Sequence, residues 1–470
     1  MSELFVRGPI VRGIVGSAAA GQLWAPLNTA VWLGRNMMPC RNILLAAKEQ
    51  HARPNARFQV HRSMFRLVGN DRHSPCGVRL RTIDTRTLQV LWMADVVEIN
   101  DPDELEQYQL VWNSLLPKTP RASFFHTYDW LQLYWKHFGH DKQLRVLVVR
   151  SDGTPFGIVP LCINRERYHV GDVRVLTYPL SDWGMWYGPI GPDQSACMFM
   201  ALKHLSQTSR DWDMIDLRWS AAGPHDRNAT GRAIRAVGWQ PRKIAYQSNS
   251  VIRFAGTDYE SYLASLNKKW RHEIRRQTRV LERAGKVTFH RHRPAGKGWG
   301  DGQPRWDLFD DCMQISQQSW QSKSTTGNTL CHPHVRGFLH DCHATAARIG
   351  MLDMAVLKID GRPAAYQYNY HRHGRVFGLR MGYDPAFSQQ GVGKILMNRL
   401  IEDSFERNDQ TLDLGIGDFA FKRRFRTEVE TSYRYACYPW RSWRSQGVRF
   451  SRWMKQRLRS NDPVSAPKGA

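Results

Sequence analysis

Several patterns are missing from this 470-residue sequence. The eight cysteines include no CxxC pair, and the cysteines and histidines between Cys331 and His343 meet no zinc spacing, so no metal is predicted. Reduced thiols in a cytoplasmic protein are expected. The longest uncharged stretch, residues 13–34, is broken by polar residues and proline, so we expect neither a signal peptide nor a membrane span. A GxxxxGKS/T phosphate loop is also absent.

Positive charge is what the sequence has in excess. It contains 67 Lys and Arg against 42 Asp and Glu, a net charge of +25, and such a charge favours polyanionic partners. Residues 1–92 hold 13 basic against 4 acidic side chains, and residues 441–470 hold 8 against 1. Because so much of the excess lies at the two ends, the total charge does not by itself predict a nucleic-acid-binding domain.

The chain divides into four parts. Residues 1–92 form a basic N-terminal extension in which regular periodicity is hard to sustain, and they are either a disordered arm or an over-extended start before a true initiator at Met93. We expect a first folded domain at 93–255 and a second at 256–440. A basic amphipathic tail, 441–470, follows them.

The two folded parts resemble each other. Each contains a strand, an Asp-Gly turn and a second strand, with the turns at Asp152-Gly153 and Asp360-Gly361. Each also has a later strand that carries an aspartate after a helical stretch, Asp216 in the first part and Asp413 in the second. This internal similarity predicts one α+β unit that occurs twice.

A strongly amphipathic helix is predicted at residues 259–284. Its apolar residues recur at three- and four-residue spacing, and Gly285 ends it. The other faces hold seven Lys and Arg between Lys268 and Arg283, against Glu273 and Glu282. This basic surface is either an ordinary solvated face or a contact for an acidic substrate or a phosphate.

The most specific local pattern is a glycine-containing turn between the strand at 375–383 and a following helix. It runs from Ser388 to Gly393. A turn at a helix N-terminus aims unpaired backbone N–H groups at one point, and the helix dipole adds to them, which suits a pyrophosphate. Taken alone, its GxG is also compatible with a plain helix start, and it does not complete a dinucleotide fingerprint.

Together these motifs resemble the acyl-coenzyme-A loop and its surroundings in the GNAT acyltransferase superfamily. The wider pattern resembles the double-GNAT, CelD-like branch linked to cellulose biosynthesis and, more distantly, the FemABX peptidyltransferases. The matching features are the basic helix, Ser319-Trp320, the Asp-Gly-x-Pro hairpin, Tyr383-Asp384, the Gly391 turn, Asp413-Leu-Gly-Ile-Gly417 and Phe421-Lys422. The resemblance implies an α+β protein of two tandem GNAT-like domains, each a mixed, largely antiparallel sheet flanked by helices.

The resemblance also implies roles for residues of the second domain. Acetyl-CoA or another acyl-CoA would be bound by Met381, Gly382, Gln389, Gln390, Gly391, Val392, Gly393 and Lys394. The candidate catalytic residues are Asp413 and Tyr383 as proton acceptors and Lys422 as a cation near the reaction centre or the phosphate. The acceptor would contact Trp320, Gln367, Tyr368 and Arg380.

Two departures from the family pattern and one difference between the repeats limit these roles. Ser388 stands where the superfamily loop has Gln or Arg, and Phe421 stands where relatives often have Tyr; the first change removes a side chain but keeps the backbone cradle. In the first repeat, the equivalent region at 188–192 contains prolines, which lack N–H donors. Only the second domain is therefore expected to bind an acyl donor.

The implied activity is transfer of an acyl group, acetyl in the simplest case, from coenzyme A to an amine. An amino-sugar, a polysaccharide precursor or another small-molecule or saccharide acceptor of the cell envelope would suit the CelD-like resemblance. Two alternatives stay open: aminoacyl-tRNA-dependent peptidyl transfer, in which the basic helix would contact RNA, and a catalytically silent accessory protein of polysaccharide biosynthesis.

The tail combines aromatic residues with cations. Between residues 441 and 459 it has seven Lys and Arg and no acid, beside an apolar stripe that contains Val448, Phe450 and Trp453. This pattern suits either peripheral contact with an anionic membrane or a final helix packed on the body. The expected location is the cytoplasm, with peripheral contact to the inner face of the membrane as one option.

Overall fold

The computed structural model describes residues 94–180, 183–221, 228–325 and 327–461. The predicted N-terminal extension at 1–92, together with Met93, lies outside these residues. All of the described residues belong to one compact unit. Its centre is a continuous sheet of twelve strands.

The strands follow one another through two similar halves. The first half contains β1 (Ala94–Ile99), β2 (Gln143–Ser151), β3 (Thr154–Tyr168), β4 (Gly171–Thr177), β5 (Met214–Ser220) and β6 (Arg242–Arg253). The second half contains β7 (Val287–His292), β8 (Leu352–Ile359), β9 (Arg362–Arg372), β10 (Arg375–Tyr383), β11 (Thr411–Ile416) and β12 (Glu428–Cys437).

Helices flank the sheet. The first half has α1 (Pro102–Glu106), α2 (Gln109–Leu115), α3 (Tyr128–Phe138), α4 (Gln194–Gln207) and α5 (Ala229–Ala236). The second half has α6 (Tyr259–Ser265), α7 (Lys268–Ala284), α8 (Trp306–Gln318), α9 (Pro333–Arg348), α10 (Val392–Glu406) and α11 (Ala420–Phe425), and α12 (Trp443–Asn461) follows the last strand. Side-chain caps supplied by the sequence, such as Asp101 and Asp193, begin several of them.

The two halves exchange their last strands. The order across the sheet is β1-β2-β3-β4-β5-β12-β6-β11-β10-β9-β8-β7. Each half places its first five strands in chain order from its own edge of the sheet, and the two last strands, β12 and β6, lie between them. Strand β12 lies against β5, and β6 lies against β11. Two parallel pairs, β4–β5 and β10–β11, occupy equivalent places, and the remaining neighbours are antiparallel.

The predicted α+β fold with two similar halves is confirmed. The Asp-Gly turns join β2 to β3 and β8 to β9, and both residues of each turn have positive φ, with values of 49° and 74° at Asp152-Gly153 and 48° and 80° at Asp360-Gly361. Turns with two positive φ angles match the twist of a hairpin. The domain limits at 93–255 and 256–440 stay a prediction, and the exchanged strands mean that each half-sheet is completed by the other half.

The helix predicted at 259–284 is divided in two. Leu266 is extended, with φ −72° and ψ 154°, and ends α6. Asn267 then caps α7 by accepting a hydrogen bond from the backbone N–H of Lys269. An asparagine that can cap a new helix competes with continuation of the old one, which the apolar periodicity alone does not reveal. The predicted end at Gly285 is correct.

The tail helix α12 packs on the first half. Val448 is fully buried with Val173, Val175 and Met214. Arg452 reaches Asp216, with its guanidinium nitrogen 3.1 Å from the carboxylate. Within the described residues, none of the helices combines the length and the hydrophobicity needed to cross a bilayer.

Candidate functional site

The site is built where β10 and β11 separate. Their parallel pairing covers only Arg375–Phe377 against Thr411–Asp413, while β10 continues along β9 to Tyr383. Two glycines allow the close approach before the strands diverge: a Cβ at Gly378 would lie 2.5 Å from the Asp413 carbonyl oxygen, and one at Gly415 would lie 2.7 Å from the Gly378 carbonyl oxygen. Side chains here would push the strands apart, so this narrow junction depends on glycine.

Asp413 lies at this junction and is almost completely buried. The Trp186 Nε1–H donates to one carboxylate oxygen at 2.8 Å, and the Asn249 amide donates to both at 3.0 and 2.9 Å. The backbone N–H of Gly415 adds a fourth contact at 2.8 Å. Burial raises the pKa of Asp413 above its ordinary value, and these donors limit the rise by stabilising the carboxylate.

Lys422 lies beside Asp413 on α11 and is also buried, with 5% of its surface exposed. Its ammonium group donates to the carbonyl oxygens of Gly415 at 3.0 Å and Ile416 at 2.7 Å, at the end of β11. Burial lowers the pKa of Lys422 to about 8, and the nearby charge of Asp413 opposes the fall. An amine with such a pKa can exchange protons near neutral pH.

Two further polar side chains predicted for the acceptor surround the junction. Arg380 lies on β10 with its guanidinium 4.2 Å from the centre of the Trp183 ring, and it donates to the backbone of Asn328 and Leu379. Gln367 lies on β9 and is 2% exposed, and its Oε1 atom is buried without a hydrogen-bond partner in the described structure. A buried orphan acceptor is costly, so it marks a place where a ligand can supply the missing donor.

The predicted acyl-CoA turn begins α10 as expected. Gly391 has φ +66° and ψ 30°, a left-handed conformation that favours glycine. Within the described residues, the N–H groups of Val392 and Gly393 find no protein acceptor, as the first two residues of a helix usually do not. A Cβ at Gly393 would have only the Tyr383 ring within 4 Å, at 3.7 Å, so there is open space beside this residue.

Helix α7 contacts the turn at Gly391. A Cβ at Gly391 would lie 2.6 Å from the Oε1 of Gln277, which is buried and without a hydrogen-bond partner among the described residues. Lys394 donates to Glu273 at 2.9 Å, so its charge is already paired within the protein. The backbone of the turn, rather than the Lys394 side chain, is therefore the part available to an anionic ligand.

The remaining predicted residues differ in their exposure to solvent. Tyr383 is 43% exposed at the end of β10, beside Gly393. Trp320 is 70% exposed, and Tyr368 is fully buried with its hydroxyl 3.2 Å from His343 Nδ1. Tyr368 thus has no exposed surface with which to touch an acceptor, and its predicted binding role finds no support in this geometry.

The end of β10 is held by a buried glutamine. The Met381 carbonyl oxygen accepts from the Gln321 side-chain amide at 2.8 Å. A Cβ at Gly382 would lie 2.6 Å from the Tyr366 ring, which explains glycine at that position. The predicted ligands Gln389 and Gln390 lie in the turn itself, between the short helix at Pro385–Phe387 and Gly391.

Sequence reasoning missed Trp186 and Asn249, which bind Asp413 from the first half of the chain. Trp186 lies in the loop after β4 and Asn249 lies on the exchanged strand β6. The aromatic run around Trp186 is a signal of an unusual loop, but nothing local connects it to a residue 227 positions away. Asn249 gives no local signal.

The equivalent aspartate of the first half is used differently. Asp216 is fully buried and forms ion pairs with Arg218 at 3.2 Å and Arg452 at 3.1 Å, and Arg434 donates to it at 2.9 Å. Burial alone would raise the pKa of Asp216, but the arginines outweigh it and the pKa lies below its ordinary value. Asp216 is therefore a fixed anion, whereas Asp413 has neutral donors and one titratable lysine.

Residues 268–423 match the family model described as an acetyltransferase (GNAT) domain. No curated protein sequence matches the chain.

In the described part of the chain, no group of three or more His, Cys, Asp or Glu side chains could hold a metal ion.

Solved structures give distant similarities. FemX has a TM-score of 0.48 with 9% identity, over 72% of this chain and 96% of its own. A tandem GNAT protein from the clavulanic acid biosynthesis pathway has 0.39 with 11% identity, over 73% and 98%. The C-terminal domain of a lysylphosphatidylglycerol synthetase from Agrobacterium fabrum has 0.42 with 12% identity, over 62% and 83%. The evidence for a family is the match of the GNAT acetyltransferase model, which covers residues 268–423.

Proposed function

We propose that this protein transfers an acyl group from coenzyme A to an amine, in the opening between β10 and β11. The observation that carries the proposal is the buried pair of Lys422 and Asp413 at this opening, with the pKa of the lysine lowered to about 8. A lysine with this pKa is partly neutral near physiological pH, so it can take a proton from an attacking amine.

The turn at the start of α10 supports a coenzyme A donor. Coenzyme A supplies the acyl group as a thioester and carries a diphosphate. The free N–H groups of Val392 and Gly393 would hold that diphosphate, and the dipole of the 15-residue helix α10 adds to their attraction. The open space at Gly393 and the orphaned Gln367 oxygen fit a ligand that extends from the turn to the junction.

The proposed proton path uses Lys422 twice. In its neutral form, Lys422 accepts a proton from the acceptor amine as the amine nitrogen bonds to the carbonyl carbon of the thioester. The carbon–sulfur bond then breaks, and the Lys422 ammonium returns a proton to the departing thiolate. Asp413 holds the charge of the ammonium between the two steps, and the part of β10 beyond Phe377, unpaired with β11, offers backbone donors to the carbonyl oxygen.

The acceptor is proposed to be a small-molecule or saccharide amine such as an amino-sugar. Asp413 and Lys422 are only 6% and 5% exposed, so the reacting amine has to reach them on a slender group. The neighbouring Arg380 is half-buried, is positioned by its contact with the buried Trp183 ring, and can contact a polar ring of the acceptor.

Calorimetry with acetyl-CoA, followed by thiol release with a panel of amines, tests the proposal. Replacing Gly393 by Val should abolish binding, because the new side chain fills the open space in front of the helix N-terminus while the helical backbone tolerates it. Gly298→Val is the matched control, since a Cβ at Gly298 meets nothing within 4 Å.

Two results would replace this function. If the wild-type protein binds no acyl-CoA but transfers an aminoacyl group from charged tRNA, the donor is RNA-linked and the exposed cations of α7 become its expected contact. If neither donor supports transfer while saccharides still bind, the protein is a silent accessory. Equal acetyl-CoA affinity in wild type and Gly393→Val would remove the turn from the site.

A further inference from the structure

Helix α12 has one face that packs on the fold and an opposite face that is largely exposed. The used face contains Ser445 and Val448, both fully buried, and Arg452. Arg452 donates to the Tyr438 and Tyr168 hydroxyls at 2.8 and 3.0 Å as well as to Asp216. These contacts fix the rotation of the helix about its axis, so the direction of its other face is determined.

The opposite face is apolar and exposed. Successive residues of a helix are rotated by roughly 100°, which places Trp443, Phe450 and Met454 on the side away from Val448, and Leu458 next to Met454. Their exposed fractions are 68% for Trp443, 60% for Phe450, 39% for Met454 and 63% for Leu458. A row of such side chains along a 19-residue helix is more than the scattered apolar residues of an ordinary surface.

Cations border this exposed face. At roughly 100° per residue, Arg457 lies within the exposed face beside Phe450, Arg444 and Arg449 lie at its two borders, and Lys455 lies nearer Val448. The sequence from 431 to 461 contains no Asp or Glu, so this segment carries an excess of positive charge. An occupant of this surface therefore has to combine an apolar interior with negative charge at its border.

We propose that the outer face of α12 docks the protein on an anionic lipid bilayer, with the helix lying along the surface. The aromatic and aliphatic side chains would enter the headgroup and upper acyl region, and the flanking cations would meet lipid phosphates. The aliphatic side chains of Leu458 and Met454 favour lipid over nucleic acid, whose binding surfaces rely on stacking rings and cations. This docking is independent of the proposed acyl transfer.

Co-sedimentation with vesicles tests the proposal on the full chain. Vesicles of phosphatidylglycerol with phosphatidylcholine should bind the protein, pure phosphatidylcholine should bind it much more weakly, and added salt should reduce the difference. Arg449→Gln with Arg457→Gln should lower the partition coefficient by about 25-fold at low salt, since each cation near an anionic surface contributes about fivefold. Phe450→Ser with Leu458→Ser should lower it by about tenfold or more.

Matched controls separate the face from general surface properties. Leu110 is 82% exposed elsewhere, so Leu110→Ser should leave vesicle binding unchanged. Arg167→Gln with Lys203→Gln removes the same charge from exposed positions of the first half and should change binding less than twofold. All these positions are exposed, so equal melting temperatures are expected and would verify that the variants fold.

Three results would overturn the proposal. The first is equal binding to neutral and anionic vesicles, and the second is unchanged binding in the Phe450→Ser, Leu458→Ser variant. The third is that the wild-type protein does not sediment with vesicles, and that the Phe450→Ser, Leu458→Ser variant instead loses binding to tRNA or loses self-association. That last outcome would assign the face to RNA or to a second copy of the chain.

Discussion

Replacing Lys422 by Met should remove most of the acyl-transfer activity while leaving the free energy of unfolding at pH 7 nearly unchanged. The pKa of Lys422 falls from 10.5 to about 8 because the group is buried, a difference of about 2.5 units. At about 1.4 kcal/mol per unit, the charged lysine costs the folded state about 3 kcal/mol. Methionine has a similar length and no charge, so this cost disappears in Lys422→Met.

The sign of the pH dependence follows from the direction of the shift. Below pH 8 the lysine is charged in both the folded and the unfolded chain, and the full cost of burial is present. Between pH 8 and 10.5 the folded protein releases the proton while the unfolded chain keeps it, so the free energy of unfolding rises with pH. Between pH 7 and pH 9.5, wild type should gain about 2 kcal/mol relative to Lys422→Met.

The hydrogen bonds lost in Lys422→Met destabilise the variant and oppose the gain from removing the buried charge. The variant loses the ammonium donors to Gly415 and Ile416, and each carbonyl left without a partner costs about 1–2 kcal/mol. At pH 7 the two effects nearly cancel, so the variant should be within about 1 kcal/mol of wild type. The acyl-transfer activity should nevertheless fall by about 100-fold or more, because the proton acceptor is gone.

Urea unfolding at pH 7 and 9.5, together with thiol release at pH 7, measures both effects. Arg423→Met is the control: Arg423 is exposed and adjacent in sequence, so its difference from wild type should be the same at both pH values. A pH-independent difference between wild type and Lys422→Met would refute the buried, titrating lysine. Retained activity in that variant would refute its role as proton acceptor.

Three further predictions concern other parts of the structure. Asp413→Asn removes the charge that raises the pKa of the neighbouring lysine, so the rise of activity with pH should move to lower pH in a pH–rate profile. Gly391→Ala should lower the free energy of unfolding by about 1–3 kcal/mol in a urea titration, because φ is +66° and the new Cβ would clash with the buried Gln277. Gly393→Ala is the control and should change it by less than about 1 kcal/mol. Asp216→Asn should lower the free energy of unfolding by about 3–5 kcal/mol, since three arginines lose their anion. The exposed Asp172→Asn should lower it by less than about 1 kcal/mol, and equal losses in the two variants would show that the buried ion pairs do not stabilise the fold.

The Asp-Gly hairpins and the turn at Gly391 could be predicted because their physical causes are local. A positive φ angle, a cap or a period of apolar residues depends on a few neighbouring positions, and the sequence contains all of them. The same reasoning failed at Leu266, where an apolar period continues but Asn267 caps a new helix. Two local preferences competed there, and packing of the buried Tyr262 and Trp270 accompanies the broken arrangement.

The chemical difference between the two repeats was decided by tertiary structure. The sequence alone determined that Asp216 and Asp413 stand at equivalent places in two copies of one unit. It could not assign the partners, because Arg434 and Arg452 reach Asp216 across more than 200 residues of chain, and Trp186 and Asn249 reach Asp413 across more than 160. The exchange of β6 and β12 brings several of these groups together, and a contact between strands so distant in sequence depends on sheet assembly rather than on local preference.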